Sequence, residues 1–384
     1  MGENIPMKIM HFIYGLNTGG AETLVKNYML NFDRKKNKVV LLCLEHKKDS
    51  LYGEILEKNG IRIVYAADHV PSRKKHMIFG KLFNHCYRYM VVRRIIRKEN
   101  PDILHTHLAV NTFVKFARPD SKMAIFHTVH AEPRKLWLKS GWRQIRDFRA
   151  AKWLVKHYNM RFIALHDDMK NEINNMFNVN NTLVFNNGID LSEYHKKNGN
   201  SMRQELNIPE RAFVLGHVGR FSEAKNHVFL VEVFKEFVKK EDDAFLLMVG
   251  DGPIKNEIAE KLDAYGLKNK YLILSDRSDV PDVLASMNAF VFPSLFESLG
   301  IALIEAQEAK IPCFVSNNIP EHAKISNLVK RLSLSYSPEE WANSICSYNM
   351  PEKILLNDAD WDIKRITKNL EQIYSEALVR GQHG

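Results

Sequence analysis

Short apolar runs alternate along this chain with longer segments whose apolar positions recur at helical spacing. Runs that are apolar throughout suit strands buried on both faces of a parallel sheet, and the segments between them suit crossover helices. In the first half the pattern predicts strands near residues 7–14, 38–44, 61–65, 102–106, 124–129, 161–165 and 181–185. In the second half it predicts strands near 212–218, 244–249, 271–274, 289–292 and 312–315. Between the two sets, Asn186-Asn187-Gly188-Ile189-Asp190 leads into Tyr194-His195-Lys196-Lys197-Asn198-Gly199-Asn200-Ser201, a polar stretch that reads as a linker. The expectation is an α/β chain of two doubly wound, Rossmann-like parallel-sheet domains, residues 1–190 and 191–360, followed by a last helix near 361–380.

Loops that follow parallel strands gather at the carboxyl edge of the sheet, where ligands bind. Two such loops in the second half carry paired charges. After the strand near 289–292 comes Pro293-Ser294-Leu295-Phe296-Glu297-Ser298-Leu299-Gly300, and a helix begins at Ile301 with Glu305 about one turn inside it. The free NH groups and positive end of that helix point back at the loop and suit an anion. After the strand near 212–218 comes Gly219-Arg220-Phe221-Ser222-Glu223-Ala224-Lys225-Asn226, where a guanidinium fork and an ammonium suit a diphosphate. The bland alternatives are an acid favouring a helix start, an exposed helix acid and a solvated basic loop.

Together these segments, E-x7-E and G-R-x-x-x-x-K-N, resemble the donor site of retaining glycosyltransferases of family four, which have the GT-B fold, and the resemblance extends over nearly the whole chain. It implies two domains facing across a cleft, with the last helix crossing back to the first domain. It implies that Glu297 binds hydroxyls of the donor sugar and helps stabilise the transition state, and that Leu299, Gly300 and Ile301 offer backbone contacts. By the same resemblance Glu305 takes the ribose hydroxyls, and Arg220 and Lys225 neutralise charge on the leaving diphosphate. With those two cations no metal is expected. Asp358-Ala359-Asp360 follows no apolar strand and reads as a helix start rather than a metal-binding pair.

The first strand ends in Tyr14-Gly15-Leu16-Asn17-Thr18-Gly19-Gly20, a glycine turn into a helix that lacks the dinucleotide fingerprint. The resemblance places Gly19 and Gly20 against the donor diphosphate. Two strands end in histidines, His105-Thr106-His107 and His127-Thr128-Val129-His130. Their spacings define no zinc ligand set; the resemblance assigns His130 to the transferred sugar, with His107 a weaker candidate. Three features depart from the family pattern: Leu299 replaces a frequent aromatic, His166 stands where serine is common, and Lys310-Ile311-Pro312 lacks the usual glycine. The last variant resembles the bacterial polysaccharide-building branch.

Charge adds a partner. The net charge of +10 is unevenly divided, with 32 Lys/Arg against 17 Asp/Glu in residues 1–190 (+15) and 23 against 28 in residues 191–384 (−5). The densest part runs from Arg134 to Lys156, with Trp137, Trp142 and Trp153 interleaved, and a second basic patch spans Arg88 to Lys98. Basic residues mixed with tryptophan suit an anionic membrane surface, although inward tryptophans under a solvated basic face are the plain alternative. No nucleic-acid motif accompanies the charge. The four cysteines, Cys43, Cys86, Cys313 and Cys346, are scattered without a C-x-x-C pair and read as reduced thiols in a cytoplasm. No apolar stretch is long enough to span a bilayer.

The resulting expectation is a cytoplasmic hexosyltransferase, peripheral on the inner face of the cell membrane. It would move a sugar with retention from a nucleotide-diphosphate sugar, UDP-linked, to a lipid-linked saccharide in capsule or exopolysaccharide synthesis. Front-face attack would account for retention, since no residue stands out as a covalent nucleophile. The competing readings are a nucleotide-sugar epimerase of the same architecture and a non-catalytic membrane- or polyanion-binding protein on a degenerate transferase fold.

Overall fold

A computed structural model describes residues 6–17, 19–71, 78–138, 141–194 and 197–381. The side chains of residues 78–85, 380 and 381 are outside that description, as are Thr18, the basic residues Arg73, Lys74, Lys75 and His76, and Lys139, His195 and Lys196. The chain divides into two compact units, Met1–Ile189 with Asp360–Gly384, and Asp190–Ala359.

The first unit contains seven strands: β1 (Lys8–Ile13), β2 (Lys38–Cys43), β3 (Arg62–Tyr65), β4 (Ile103–His107), β5 (Ala124–Thr128), β6 (Arg161–Ala164) and β7 (Leu183–Val184). They form one parallel sheet in the order β3-β2-β1-β4-β5-β6-β7. The order reverses between β1 and β4, so the loops after these two strands diverge to opposite sides and leave a crevice at the carboxyl edge. One face of the sheet packs Ile9, Ile13 and Phe126 against Leu24, Val25 and Tyr28 of the helix Gly20–Asn31. The final helix, Ile363–Gly381, belongs to this same core through Ile363, Ile366, Leu370, Tyr374 and Ala377. Their three- and four-residue spacing makes one apolar stripe.

The second unit contains β8 (Phe213–Val218), β9 (Ala244–Val249), β10 (Tyr271–Leu274), β11 (Ala289–Phe292), β12 (Cys313–Ser316) and β13 (Val329–Leu332), parallel in the order β10-β9-β8-β11-β12-β13. Its reversal lies between β8 and β11. The twelve strands expected from apolar runs are all present. Strand β13 was not expected, because Lys330 and Arg331 interrupt its apolar character; it lies at the sheet edge, paired only with β12. The polar stretch read as linker is partly helical: Asn198 Oδ1 accepts from the NH groups of Asn200 and Ser201 and caps the helix Gly199–Glu205. Among the described residues no helix is long and apolar enough to cross a membrane.

Candidate functional site

In the second unit, the loops after β8, β9 and β11 lie on neighbouring strands at the point where the strand order reverses. They are tied together by backbone bonds. Leu295 NH donates to the Ala224 carbonyl at 2.8 Å, and Phe221 NH donates to the Asp251 carbonyl at 2.9 Å. Asn226 Nδ2 adds a bond to the Pro293 carbonyl at 3.1 Å. The glycines of Gly250-Asp251-Gly252, which fail as a dinucleotide signature, have a packing role instead. Gly250 has φ +150, and a Cβ there would lie 2.0 Å from the Gly219 carbonyl oxygen, so only glycine lets the β9 loop support the loop carrying Arg220.

Lys225 Nζ and Glu297 Oε1 are 2.5 Å apart, with side chains 20% and 9% exposed. The same ammonium sits 4.9 Å from the centre of the Phe292 ring. The two motifs that sequence placed on separate loops therefore meet in one ion pair. Arg220 shares the Lys225 loop and is exposed. Leu299 is buried, and Gly300 takes φ +79 as it starts the helix Ile301–Glu308. A glycine there both reaches the left-handed region and offers no side chain to cap the first turn; the Leu303 NH turns back to the Gly300 carbonyl at 2.9 Å, and an uncapped helix start suits an anion.

Glu305 has a partner that sequence reasoning missed. Tyr194, buried beside it, donates its hydroxyl to the Glu305 carboxylate; burial first and that carboxylate second hold the phenol well above its usual range. Glu308, one helical turn further on, is buried, and neither carboxylate oxygen has a hydrogen-bond partner among the described residues. Burial, reinforced by Asp358, pushes its carboxyl up to about 7. Asp360, next in the same sequence, lies in the short turn Ala359–Trp361 ahead of the last helix.

In the first unit Gly19 caps the helix Gly20–Asn31 after β1, and a Cβ on Gly20 would meet nothing within 4 Å. Neither glycine has a positive φ, so the backbone does not require them; a Cβ on Gly19 would meet the carboxylate of Glu22, an acid in the first turn of the same helix, at 2.5 Å. His107 ends β4 and His130 follows β5, placing both on the same carboxyl edge as the glycine turn. His107 Nδ1 and His130 Nε2 are 3.1 Å apart, and burial lowers His130 to about 4. His11, inside β1, was not singled out by sequence; its Nδ1 lies 2.9 Å from His107 Nε2. His11, His105 and His107 come close enough to suggest a metal site. The nitrogens are otherwise engaged: His11 and His107 meet each other at 2.9 Å, and the two His105 nitrogens are taken by Tyr374 and Thr128.

On the other face of the sheet, Asp147 accepts from both the backbone NH and Nδ2 of Asn111, at 2.7 and 3.0 Å, and burial pushes its carboxyl up to about 6. This arrangement is structural, holding the helix Trp142–Tyr158 to the start of the helix Asn111–Ala117. His166 takes over the capping task of a serine, its Nδ1 accepting from the Met169 NH at 3.2 Å. The tryptophans of the basic stretch divide: Trp137 is buried, Trp153 is half-buried and Trp142 is 75% exposed, beside exposed Leu138.

Comparison with known proteins identifies relatives of both units. Residues 18–193 match the model described as Glycosyltransferase Family 4, and residues 199–348 match Glycosyl transferases group 1. The chain is 28% identical to the putative glycosyltransferase EpsF of Bacillus subtilis, over 88% of this chain and 86% of that protein. It is 25% identical to the capsular polysaccharide biosynthesis glycosyltransferase CapH of Staphylococcus aureus, over 96% and 98%. Over 58% of this chain and 60% of the relative it is 29% identical to an Escherichia coli UDP-Gal:alpha-D-GlcNAc-diphosphoundecaprenol alpha-1,3-galactosyltransferase. In fold it resembles Anabaena HepE, solved with UDP and glucose, with a TM-score of 0.74 at 17% identity, covering 96% of this chain and 100% of that one.

Proposed function

The chain belongs to the glycosyltransferases of the GT-B fold, and from that we propose that it transfers a hexose with retention from a UDP-sugar to a lipid-linked saccharide in capsule or exopolysaccharide synthesis. The observation that carries this reading is the Lys225–Glu297 pair, set beside Arg220 and the uncapped helix at Gly300. Two cations and a row of helix NH groups match a diphosphate, and an acid within the same cluster matches sugar hydroxyls. The galactosyltransferase relative, whose name specifies a UDP-sugar and a diphosphoundecaprenol-linked acceptor, supports both ends of the reaction.

In this reading Arg220 and Lys225 stabilise charge as it develops on the departing diphosphate, which takes the place of a metal ion. Glu297 holds hydroxyls of the transferred sugar, and Lys225 orients its carboxylate. Glu305 takes the ribose hydroxyls with one edge of its carboxylate while Tyr194 holds the other. Leu299, Gly300 and Ile301 contact the donor through their backbone, Gly19 and Gly20 approach its diphosphate, and His130 hydrogen-bonds the transferred sugar.

The proposed location is the inner face of the cell membrane. The helix Trp142–Tyr158 carries exposed Arg143, Arg146, Arg149, Lys152 and Lys156, with Trp142 and Leu138 exposed at its start. Cations beside an exposed indole suit an anionic bilayer surface.

The test is thermal stabilisation of the purified protein by a panel of nucleotide sugars in EDTA, alongside an Arg220→Ala/Lys225→Ala variant. Stabilisation by a UDP-sugar that disappears in the variant is the expected result. No shift with any nucleotide sugar would refute the transferase reading, and isomerisation of the sugar without an acceptor would replace it with an epimerase.

A further inference from the structure

Five buried side chains of the first unit and the half-buried His130 form an unbroken hydrogen-bonded line. His130 Nε2 meets His107 Nδ1 at 3.1 Å, and His107 Nε2 meets His11 Nδ1 at 2.9 Å. His11 Nε2 is 3.4 Å from the Tyr374 hydroxyl, which is 2.5 Å from His105 Nδ1. His105 Nε2 then meets Thr128 Oγ1 at 2.7 Å. Pairing of β1 with β4 sets His11 directly beside His105, and the alternation of strand side chains puts His105 and His107 on one face. Tyr374 reaches them from the last helix.

A neutral imidazole has one donor and one acceptor, so the direction of one link fixes all the others. Burial keeps these rings neutral, lowering His11 to about 3 and His130 to about 4, with His105 and His107 also well below the usual histidine value. The shortest link sets the direction. Across the close Tyr374–His105 contact the phenol is a far stronger acid than a neutral imidazole N–H, so the O–H donates. Tyr374 therefore donates to His105 Nδ1 and accepts from His11 Nε2–H. His11 Nδ1 then accepts from His107 Nε2–H, and His107 Nδ1 accepts from His130 Nε2–H. The line ends on a bare His130 Nδ1, an atom that is buried and has no hydrogen-bond partner among the described residues.

We propose that this line, with Tyr374 as its positioning residue, locks His130 in the Nε2–H form so that its Nδ1 accepts a hydrogen bond from a hydroxyl of the ligand. The proposal rests on the reading that His130 contacts the transferred sugar. It makes the contact selective: a hydroxyl can donate to a bare nitrogen, whereas a carboxylate or carbonyl at the same place on the sugar cannot.

The experiment is long-range proton–nitrogen correlation on the full-length protein labelled with nitrogen-15 in histidine, with His130 assigned through His130→Gln. The wild type is expected to show His130 as Nε2–H. In Tyr374→Phe the limb from His11 to His130 loses its fixed direction, so the His130 nitrogen shifts should move towards a tautomer average. Turnover should fall roughly tenfold with the donor KM changed less than about twofold, the loss of one hydrogen bond acting on positioning rather than binding. Phe32→Leu, which loosens packing against both Tyr374 (ring centres 6.4 Å apart) and His11 (5.3 Å) but removes no hydrogen bond of the line, should leave the His130 shifts in place. A wild-type His130 in the Nδ1–H form, unchanged shifts in Tyr374→Phe, or equal movement in Phe32→Leu would each overturn the proposal. The wild-type tautomer is read in the free protein, so failure to bind any nucleotide sugar would refute the transferase reading without touching this result.

Discussion

Replacing Lys225 tests whether the two donor motifs act as one unit. Two unit charges 2.5 Å apart attract by roughly 7 kcal/mol at an effective dielectric of about 20, most of which is offset by the cost of taking both groups from water. Lys225→Met keeps the stem against Phe292 but leaves Glu297, whose side chain is 9% exposed, without its counter-ion. The expected loss is about 2 kcal/mol of unfolding free energy, and about 1 kcal/mol for Glu297→Gln, which keeps shape and removes charge. The double variant has no unpaired charge and should lose about 1 to 2 kcal/mol less than the two singles combined. Urea unfolding of the four proteins measures this coupling. Additivity within about 0.3 kcal/mol would refute the claim that the pair is formed and energetically linked. The same variants should separate the roles in binding: Lys225→Met should abolish stabilisation by UDP, while Glu297→Gln should still bind UDP and lose sugar transfer.

The buried Glu308 predicts a pH effect of definite sign. Its carboxyl is raised from 4.5 to about 7, so the folded state holds the proton more tightly than the unfolded chain, and the stabilisation this gives is present below about pH 4.5 and lost as pH rises to 7. Glu308→Gln should therefore gain stability over the wild type between pH 5 and 8, by up to about 3 kcal/mol, seen as a flatter pH dependence of the thermal midpoint. Gly250→Ala should lower stability by about 2 to 4 kcal/mol and weaken nucleotide-sugar binding, since its Cβ displaces the loop carrying Arg220; calorimetric titration with unchanged affinity would count against that coupling. Trp142→Glu should reduce co-flotation with anionic vesicles about tenfold while leaving the unfolding midpoint within about 1 °C, because the ring is mostly in solvent and its loss affects only the bilayer contact. Equal flotation of the two proteins would remove this helix from the membrane reading.

Local chemistry made much of the architecture legible. Strands buried on both faces announce themselves as apolar runs, and the glycines and charges that follow them mark the carboxyl edge of each sheet. Arg220, Lys225 and Glu297 could be found this way because each lies on the loop that follows its strand, and Glu305 because it lies about one turn into the helix that the loop feeds. Strand β13 escaped notice because an edge strand with Lys330 and Arg331 has no continuous apolar signal. Gly250 failed one motif, and its actual task, admitting the Gly219 carbonyl, depends on a loop thirty residues away.

What the sequence determined by itself was the set of elements and the residue types at their ends, since strand burial and helix starts are read from neighbours along the chain. The partnerships among those residues were decided only by the tertiary structure. Lys225 meets Glu297 across 72 positions, and Tyr374 meets His105 across 269. Such contacts depend on which strands lie side by side and which helix covers them, and no local periodicity encodes that order.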